Sequence, residues 1–158
     1  MMGNEILVGV GEFRVAKGAV LKTVGLGSCI GIALYDPVIK VGSLAHVMLP
    51  QSSNGTKRSA KYADHAVEMM IEAMERLGGD RNRVIAKMAG GAQIFKHMTM
   101  DMLRIGDRNA EAIKSILRDY GIRIVSEDIG GSEGRTVYFF TSDGRMLVKY
   151  SRGGELWI

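Results

Sequence analysis

Residues 29–49 read CIGIALYDPVIKVGSLAHVML. Two apolar runs, 29–35 and 41–49, flank Asp36-Pro37. Proline presets φ for the second position of a β-turn, so the stretch predicts two antiparallel strands joined at Asp36-Pro37-Val38-Ile39. In that register Tyr35 faces Lys40 and Cys29 faces His46. Directly opposed side chains share a face, with Cβ atoms about 5 Å apart. A slip of one residue would put the two on opposite faces. On the first strand Ile30, Ile32 and Leu34 are large and point one way, toward a core. Cys29, Gly31 and Ala33 are small and point the other way. That leaves room on the Cys29 side for a substrate or for another layer of the protein.

Working outward, residues 5–15 predict a strand broken near Gly9 and Gly11, and 20–24 lead into a Gly25-Leu26-Gly27-Ser28 turn. Downstream, QSSNGTKRS is a polar loop. Ser59 is a candidate N-cap for a helix in which Tyr62, Ala66, Met69, Met70, Ala73 and Leu77 follow a helical period. Gly78-Gly79 ends it. Residues 83–89 predict a strand running into AGGAQIF. A second helix covers about 107–120, with Ala110, Ile113, Ile116, Leu117 and Tyr120 on one face and Gly121 as its stop. Residues 122–128 form a strand and IGGSEGR a loop; 135–141 and 145–150 form a hairpin around Ser142-Asp143-Gly144. The reading is an α/β chain of the α+β type, one domain across residues 1–158.

Composition narrows the class. Apolar residues make up 46% of the 158 and charged residues 24%, as in ordinary globular proteins. No apolar run approaches the roughly 18 residues of a membrane span, and MMGNEILVGVGEF lacks the regions of a signal peptide. One cysteine cannot form an internal disulfide, which fits a reducing cytoplasm. The net charge is +4, and the densest basic cluster, TKRSAK at 56–61, has no interleaved aromatic residue. Nucleic-acid binding is therefore not expected, although a basic surface can steer an acidic partner. No GxxxxGK[ST] occurs, and GVGEFRVAKG lacks the spacing of a dinucleotide fingerprint, so no cofactor is expected. One cysteine and three scattered histidines do not make a familiar zinc motif. Met69, Met70 and Met74 read as core filler, His65 as a surface residue and His97 as solvated.

A lone cysteine is usually buried and inert. Here the glycine turn before it changes the reading. Successive amides around Gly27 and Ser28 can point into one concavity, which an oxyanion requires when a thiolate attacks an acyl carbon. An imidazole beside Cys29 would take the thiol proton and lower the thiol pKa by several units. The imidazole in turn needs an orienting group. Thr23, six residues before Cys29, has a hydroxyl that would serve; read alone, it is also an ordinary β-branched strand residue. The polar residues Gln93, Arg108, Asn109, Glu127, Asp128 and Arg135 lie in glycine-marked stretches that can gather around one site.

In order along the chain, TVGLGSC, LAHVMLP, KYAD, AGGAQIF, IGDRN and EDIGGSEGR resemble the CheD family, and the resemblance runs from Val8 to about Lys149. It implies a chemoreceptor glutamine deamidase, which converts receptor glutamines to glutamates that later serve as methylation sites; some members also hydrolyse receptor glutamyl methyl esters. It implies a Cys29, His46, Thr23 triad. It implies as substrates the methyl-accepting chemotaxis receptors, and as partner CheC, a phosphatase of the response regulator CheY, whose binding competes with receptor binding. It implies stacked mixed β-sheets flanked by helices, similar to the cysteine-hydrolase core of deamidating toxins. The chain departs from the pattern where an asparagine is expected shortly before IGxRN; it reads MTMDMLRIGDRN. GGELWI at the end has no assigned role. The alternative to an amidohydrolase is an adaptor that mainly binds CheC or receptors.

Overall fold

The middle of the structure is the hairpin that the opening stretch predicts. In the computed structural model, which describes residues 4–93 and 104–158, β4 (Ile30–Asp36) and β5 (Val41–Val47) pair antiparallel, and every residue of both is buried. The register differs from the expected one by two residues. Gly31 faces His46 and Ile30 faces Val47, so Cys29 is not directly opposite His46. The turn is a four-residue loop, 37–40, closed by Lys40 at φ 54°. Asp36 is the cause. Its carboxylate accepts the Val38 and Asp80 N–H groups and the Arg83 guanidinium, which holds residue 36 in the sheet and starts the turn after it. Burial alone would raise the Asp36 pKa, but Arg83 and the two amides hold it below the usual carboxylate range. An even shift keeps the parity of the pleat, so the faces stay as predicted.

β4 and β5 lie inside a sheet of order β2-β5-β4-β6-β7, with β2 Phe13–Ala16, β6 Ile85–Gly90 and β7 Arg123–Ile129. A second sheet has the order β1-β3-β8-β9-β10. Its strands are β1 Asn4–Leu7, β3 Ala19–Leu26, β8 Arg135–Phe140, β9 Met146–Tyr150 and β10 Glu155–Trp157. β1 with β3 and β6 with β7 are parallel and the other pairs antiparallel, so both sheets are mixed. The terminal GGELWI supplies β10, an edge strand on β9.

The helices α1 (Ala63–Arg76) and α2 (Ile105–Tyr120) cover one face of the first sheet. There Ile30, Ile32 and Leu34 pack with Val67, Met70, Met74, Ile113 and Leu117. On the other face Ala33 and Leu44 meet Leu21, Leu26, Val137 and Phe139 of the second sheet. The order of layers is sheet, sheet, helices, and the space beside the small face of β4 holds a layer of the protein.

Local expectations hold with specific exceptions. α2 ends at Gly121, whose φ is 70°. The cap of α1 is Tyr62, in extended conformation, rather than Ser59. The Ser59 hydroxyl is engaged one step earlier, accepting the Lys61 N–H. The Ser59 N–H donates to His65 Nδ1, so His65 is a half-buried residue of this turn and not a free surface one. Met70 and Met74 are core residues and Met69 is half-buried, whereas Leu77 is 46% exposed beyond the helix end. In the basic cluster, Arg58 folds back onto Glu68 and Glu72 of α1. His97, Ile94, Phe95 and the MTMDML segment lie outside the described residues. No helix among the described residues is long and apolar enough to cross a membrane.

Candidate active site

The turn before Cys29 is built by a bulge. β3 follows β8 in register from Val20 to Thr23 and then slips by one residue before Leu26. Gly25 lies within the slip at φ 72°, a conformation that costs a side-chain-bearing residue energy. The chain then turns through Gly27, Ser28 and Cys29, all three half-buried. The carbonyls of this turn are held from outside. Gly27 O accepts the Ala92 N–H at 2.8 Å and Cys29 O accepts the Gly91 N–H at 2.9 Å. Ser28 O accepts Asn109 Nδ2 at 3.1 Å. The Gly27 N–H, expected with that of Ser28 to face an oxyanion, instead donates to Gly25 O at 3.1 Å, whereas among the described residues the N–H groups of Ser28 and Cys29 make none of these turn bonds.

His46 is wholly buried. The loop between β1 and β2 grips its backbone: His46 N–H donates to Glu12 O, and His46 O accepts the Gly11 N–H, both at 3.0 Å. Its ring lies between the sheets, opposite Gly31. A Cβ at Gly31 would stand 3.0 Å from Leu26 Cδ1 and 3.6 Å from Thr23 Cγ2, so the missing side chain leaves the space into which the two sheets bring these groups. Cys29 packs against the same inter-sheet cluster. It lies two residues along from Gly31, a diagonal relation to His46 that corresponds to roughly 7 Å between β-carbons.

Thr23 settles the tautomer. Its hydroxyl lies 2.7 Å from Val8 O and 2.7 Å from His46 Nδ1. A carbonyl can only accept, and the hydroxyl has one proton, so that proton goes to Val8. Nδ1 must then carry the hydrogen it donates to Thr23. The lone pair is left on Nε2, which is buried without a hydrogen-bond partner among the described residues. An unpaired basic nitrogen inside a protein costs free energy unless a group outside the set completes it.

Burial acts on both titrating groups. It pushes the Cys29 thiol up and the His46 imidazole down. Burial thus works against the expected lowering of the thiol and favours the neutral form of each group. A consequence concerns stability. The unfolded chain binds a proton on His46 below about pH 6.5, whereas the folded chain resists it, so stability falls as pH drops through and below that value. Asp36 and Asp64, both held below the usual carboxylate range, add their slopes at lower pH. The urea midpoint of the wild type is therefore expected to fall between pH 7 and 5 more steeply than that of His46→Gln. Equal slopes would contradict a buried, neutral His46.

The other polar residues divide into two groups. Gln93 and Asn109 lie beside the Cys29 turn. Gln93 Nε2 reaches Asp107 at 3.2 Å and its N–H reaches Gly131 O. Arg108 and Asn109 are residues of α2 rather than of a loop, Arg108 exposed and Asn109 buried. Asn109 Nδ2 also reaches Met48 O at 2.9 Å. Glu127 and Asp128 lie on β7 and are engaged elsewhere. Glu127 pairs with Lys114 at 3.1 Å. Asp128 accepts Arg135 Nε at 3.0 Å and the Tyr150 hydroxyl at 2.6 Å, which ties β7 of one sheet to β8 and β9 of the other. Val8 and Gly90 had no signal of their own in the sequence, because each acts through its backbone, whereas the small Gly31 was legible as room on the Cys29 face. No cluster able to hold a metal ion occurs among the described residues.

The family model for CheD chemotactic sensory transduction matches residues 48–150. The probable chemoreceptor glutamine deamidase CheD of Archaeoglobus fulgidus is 87% identical over 157 residues, covering 99% of this chain and 100% of that one. The chemoreceptor glutamine deamidase CheD of Thermotoga maritima is 44% identical over 150 residues, 94% of each. The probable chemoreceptor glutamine deamidase CheD 2 of Methanosarcina acetivorans is 47% identical over 157 residues, covering 99% of this chain and 70% of that one. The match to the Archaeoglobus protein extends across Thr23, Cys29 and His46, which precede the segment matched by the family model.

Proposed function

The chain belongs to the CheD family, and on that premise we propose that it hydrolyses glutamine side chains of methyl-accepting chemotaxis receptors to glutamate, as a single domain with Cys29 as nucleophile. The names of its relatives support the reaction class. The observation that carries the residue assignment is the Val8–Thr23–His46 relay, which leaves a free lone pair on Nε2 on the side of the sheet where Cys29 packs.

The steps start from a neutral thiol and a neutral imidazole, the forms that burial favours. As the sulfur attacks the side-chain amide carbon, Nε2 takes the thiol proton and a C–S bond forms. The carbonyl oxygen becomes an oxyanion, facing the amides of Ser28 and Cys29 in the turn after Gly27. The imidazolium returns its proton to the departing nitrogen, the C–N bond breaks, and ammonia leaves a thioester. Water then attacks the thioester carbon while Nε2 takes its proton. The C–S bond breaks, the thiolate recovers that proton, and glutamate is released. Thr23 does not exchange protons. It holds Nδ1–H so that the lone pair stays on Nε2 through both halves, as the third member of the triad.

The reading is tested by incubating the protein with a receptor cytoplasmic fragment and examining the receptor helices by mass spectrometry. Conversion of specific glutamines to glutamates is expected; receptor helices that keep every amide would end the proposal. Thr23→Val keeps the shape and removes the hydroxyl. It leaves Val8 O and Nδ1–H without a partner, at about 1–3 kcal/mol in stability. It also frees the tautomer, and a roughly 10- to 100-fold fall in kcat is expected, less than a lost carboxylate would cause. A kcat equal to wild type would remove Thr23 from the triad.

The same proposal includes CheC as partner, and the cytoplasm as compartment, where a lone thiol stays reduced. Excess CheC is expected to slow receptor deamidation by competing for the protein; no inhibition at saturating CheC would contradict this. Gln93, Arg108, Glu127 and Asp128 are carried as residues of the receptor- or partner-facing stretches.

A further inference from the structure

We infer that Asn109 is a positioning residue that aims the oxyanion-binding amide of Cys29, an assignment that rests on the deamidase reading above. Asn109 lies in α2, 81 residues after Ser28 in the chain and 61 after Met48, and is fully buried. Its Nδ2 donates to Ser28 O at 3.1 Å and to Met48 O at 2.9 Å. Both partners are carbonyls, which only accept, so the orientation of the side-chain amide is determined by chemistry. Both of its protons are engaged. Its Oδ1 has no partner among the described residues and is buried. A residue present only to fill space would be apolar at this site, because an unsatisfied buried oxygen is costly. The amide is explained by its two donors.

The two carbonyls it joins are informative. Met48 follows His46 by two residues, just past the end of β5, and its position is secured because its own N–H donates to Lys61 O. Ser28 O belongs to the peptide unit that also contains the N–H of Cys29. A peptide unit is planar and trans, so its N–H points away from its carbonyl. Holding Ser28 O against α2 therefore directs the Cys29 N–H to the opposite side, where the oxyanion of the proposed reaction forms. A donor fixed before the reaction begins stabilises the transition state without reorganisation. Asn109 thus links the base strand, the nucleophile turn and the helix layer through one side chain.

The role separates from general structural support by using two reactions of the same sulfur. Deamidation passes through an oxyanion, whereas alkylation of Cys29 by iodoacetamide displaces iodide and forms none. In Asn109→Ala, kcat for receptor deamidation is expected to fall about 10- to 100-fold with KM within about threefold. Alkylation of Cys29 should proceed within about twofold of wild type under the same conditions. An unchanged kcat, or an alkylation rate that falls in parallel with kcat, would overturn the inference. If Asn109→Ala does not fold, Asn109→Ser decides: its single hydroxyl proton serves one carbonyl, so a smaller loss of kcat is expected and an unchanged kcat overturns. Cys29→Ala is assayed alongside. Residual deamidation by Cys29→Ala refutes the nucleophile assignment itself, whereas an inactive Cys29→Ala beside a fully active Asn109→Ala refutes only the role of Asn109.

Discussion

Cys29→Ala is expected to lose receptor deamidation by at least about 10⁴-fold, because members of a nucleophile–base set act as a unit and removing the nucleophile removes the covalent route. The fold should survive. Cys29 is half-buried at the end of a turn whose bonds run through backbone carbonyls, and none of the turn bonds uses its sulfur. Trimming one small atom from a partly exposed site costs on the order of 1 kcal/mol. Thermal unfolding and mass spectrometry of receptor helices together decide the matter. A well-folded Cys29→Ala protein that still converts glutamine to glutamate would return the protein to the adaptor reading.

Gly90→Ala is the substitution expected to harm the fold most for its size. Gly90 closes β6 at φ 122°, and a Cβ there would stand 2.2 Å from the Cys29 carbonyl oxygen and 3.3 Å from Ile30 Cα. Both obstacles are backbone, so no side chain can move aside. The strained dihedral and the overlap together correspond to a loss of about 3 kcal/mol or more. The damage falls on the site as well. Gly90 O accepts the Gly130 N–H, and the next residue donates to Cys29 O, so displacing this backbone moves the nucleophile turn. A lower urea midpoint and a lower kcat are expected together. A variant with wild-type stability would show that β6 can retreat from the turn, and would weaken the account of how Cys29 is held.

Much of the architecture was legible because it depends on near neighbours in the chain. The alternation of large and small residues in Ile30–Ala33 assigned two faces before any partner layer was known. The helical period gave α1 and α2, and Gly121 gave the end of the second. The errors lie where a distant residue intervenes. Ser59 has the chemistry of a cap, but its hydroxyl was taken by the turn at Lys61. GGELWI had no assigned role in the sequence and becomes β10 by pairing with the edge of β9. Glu127 and Asp128 read as candidates from a glycine-marked stretch; in the fold they lie on β7 and pair with Lys114 and Arg135 across element boundaries.

By itself, the sequence determined which residues of each strand share a face, since a strand's side chains alternate whatever surrounds them. It also determined the glycine turn before the cysteine. Only the tertiary structure decided the register, through Arg83 holding Asp36 in the strand. The same holds for the tautomer of His46, which needs the carbonyl of Val8, just past β1, and for the upward push on the thiol pKa, which follows from burial. These depend on groups brought together by packing from positions far apart in the chain, and no local pattern of residues encodes a distance of that kind.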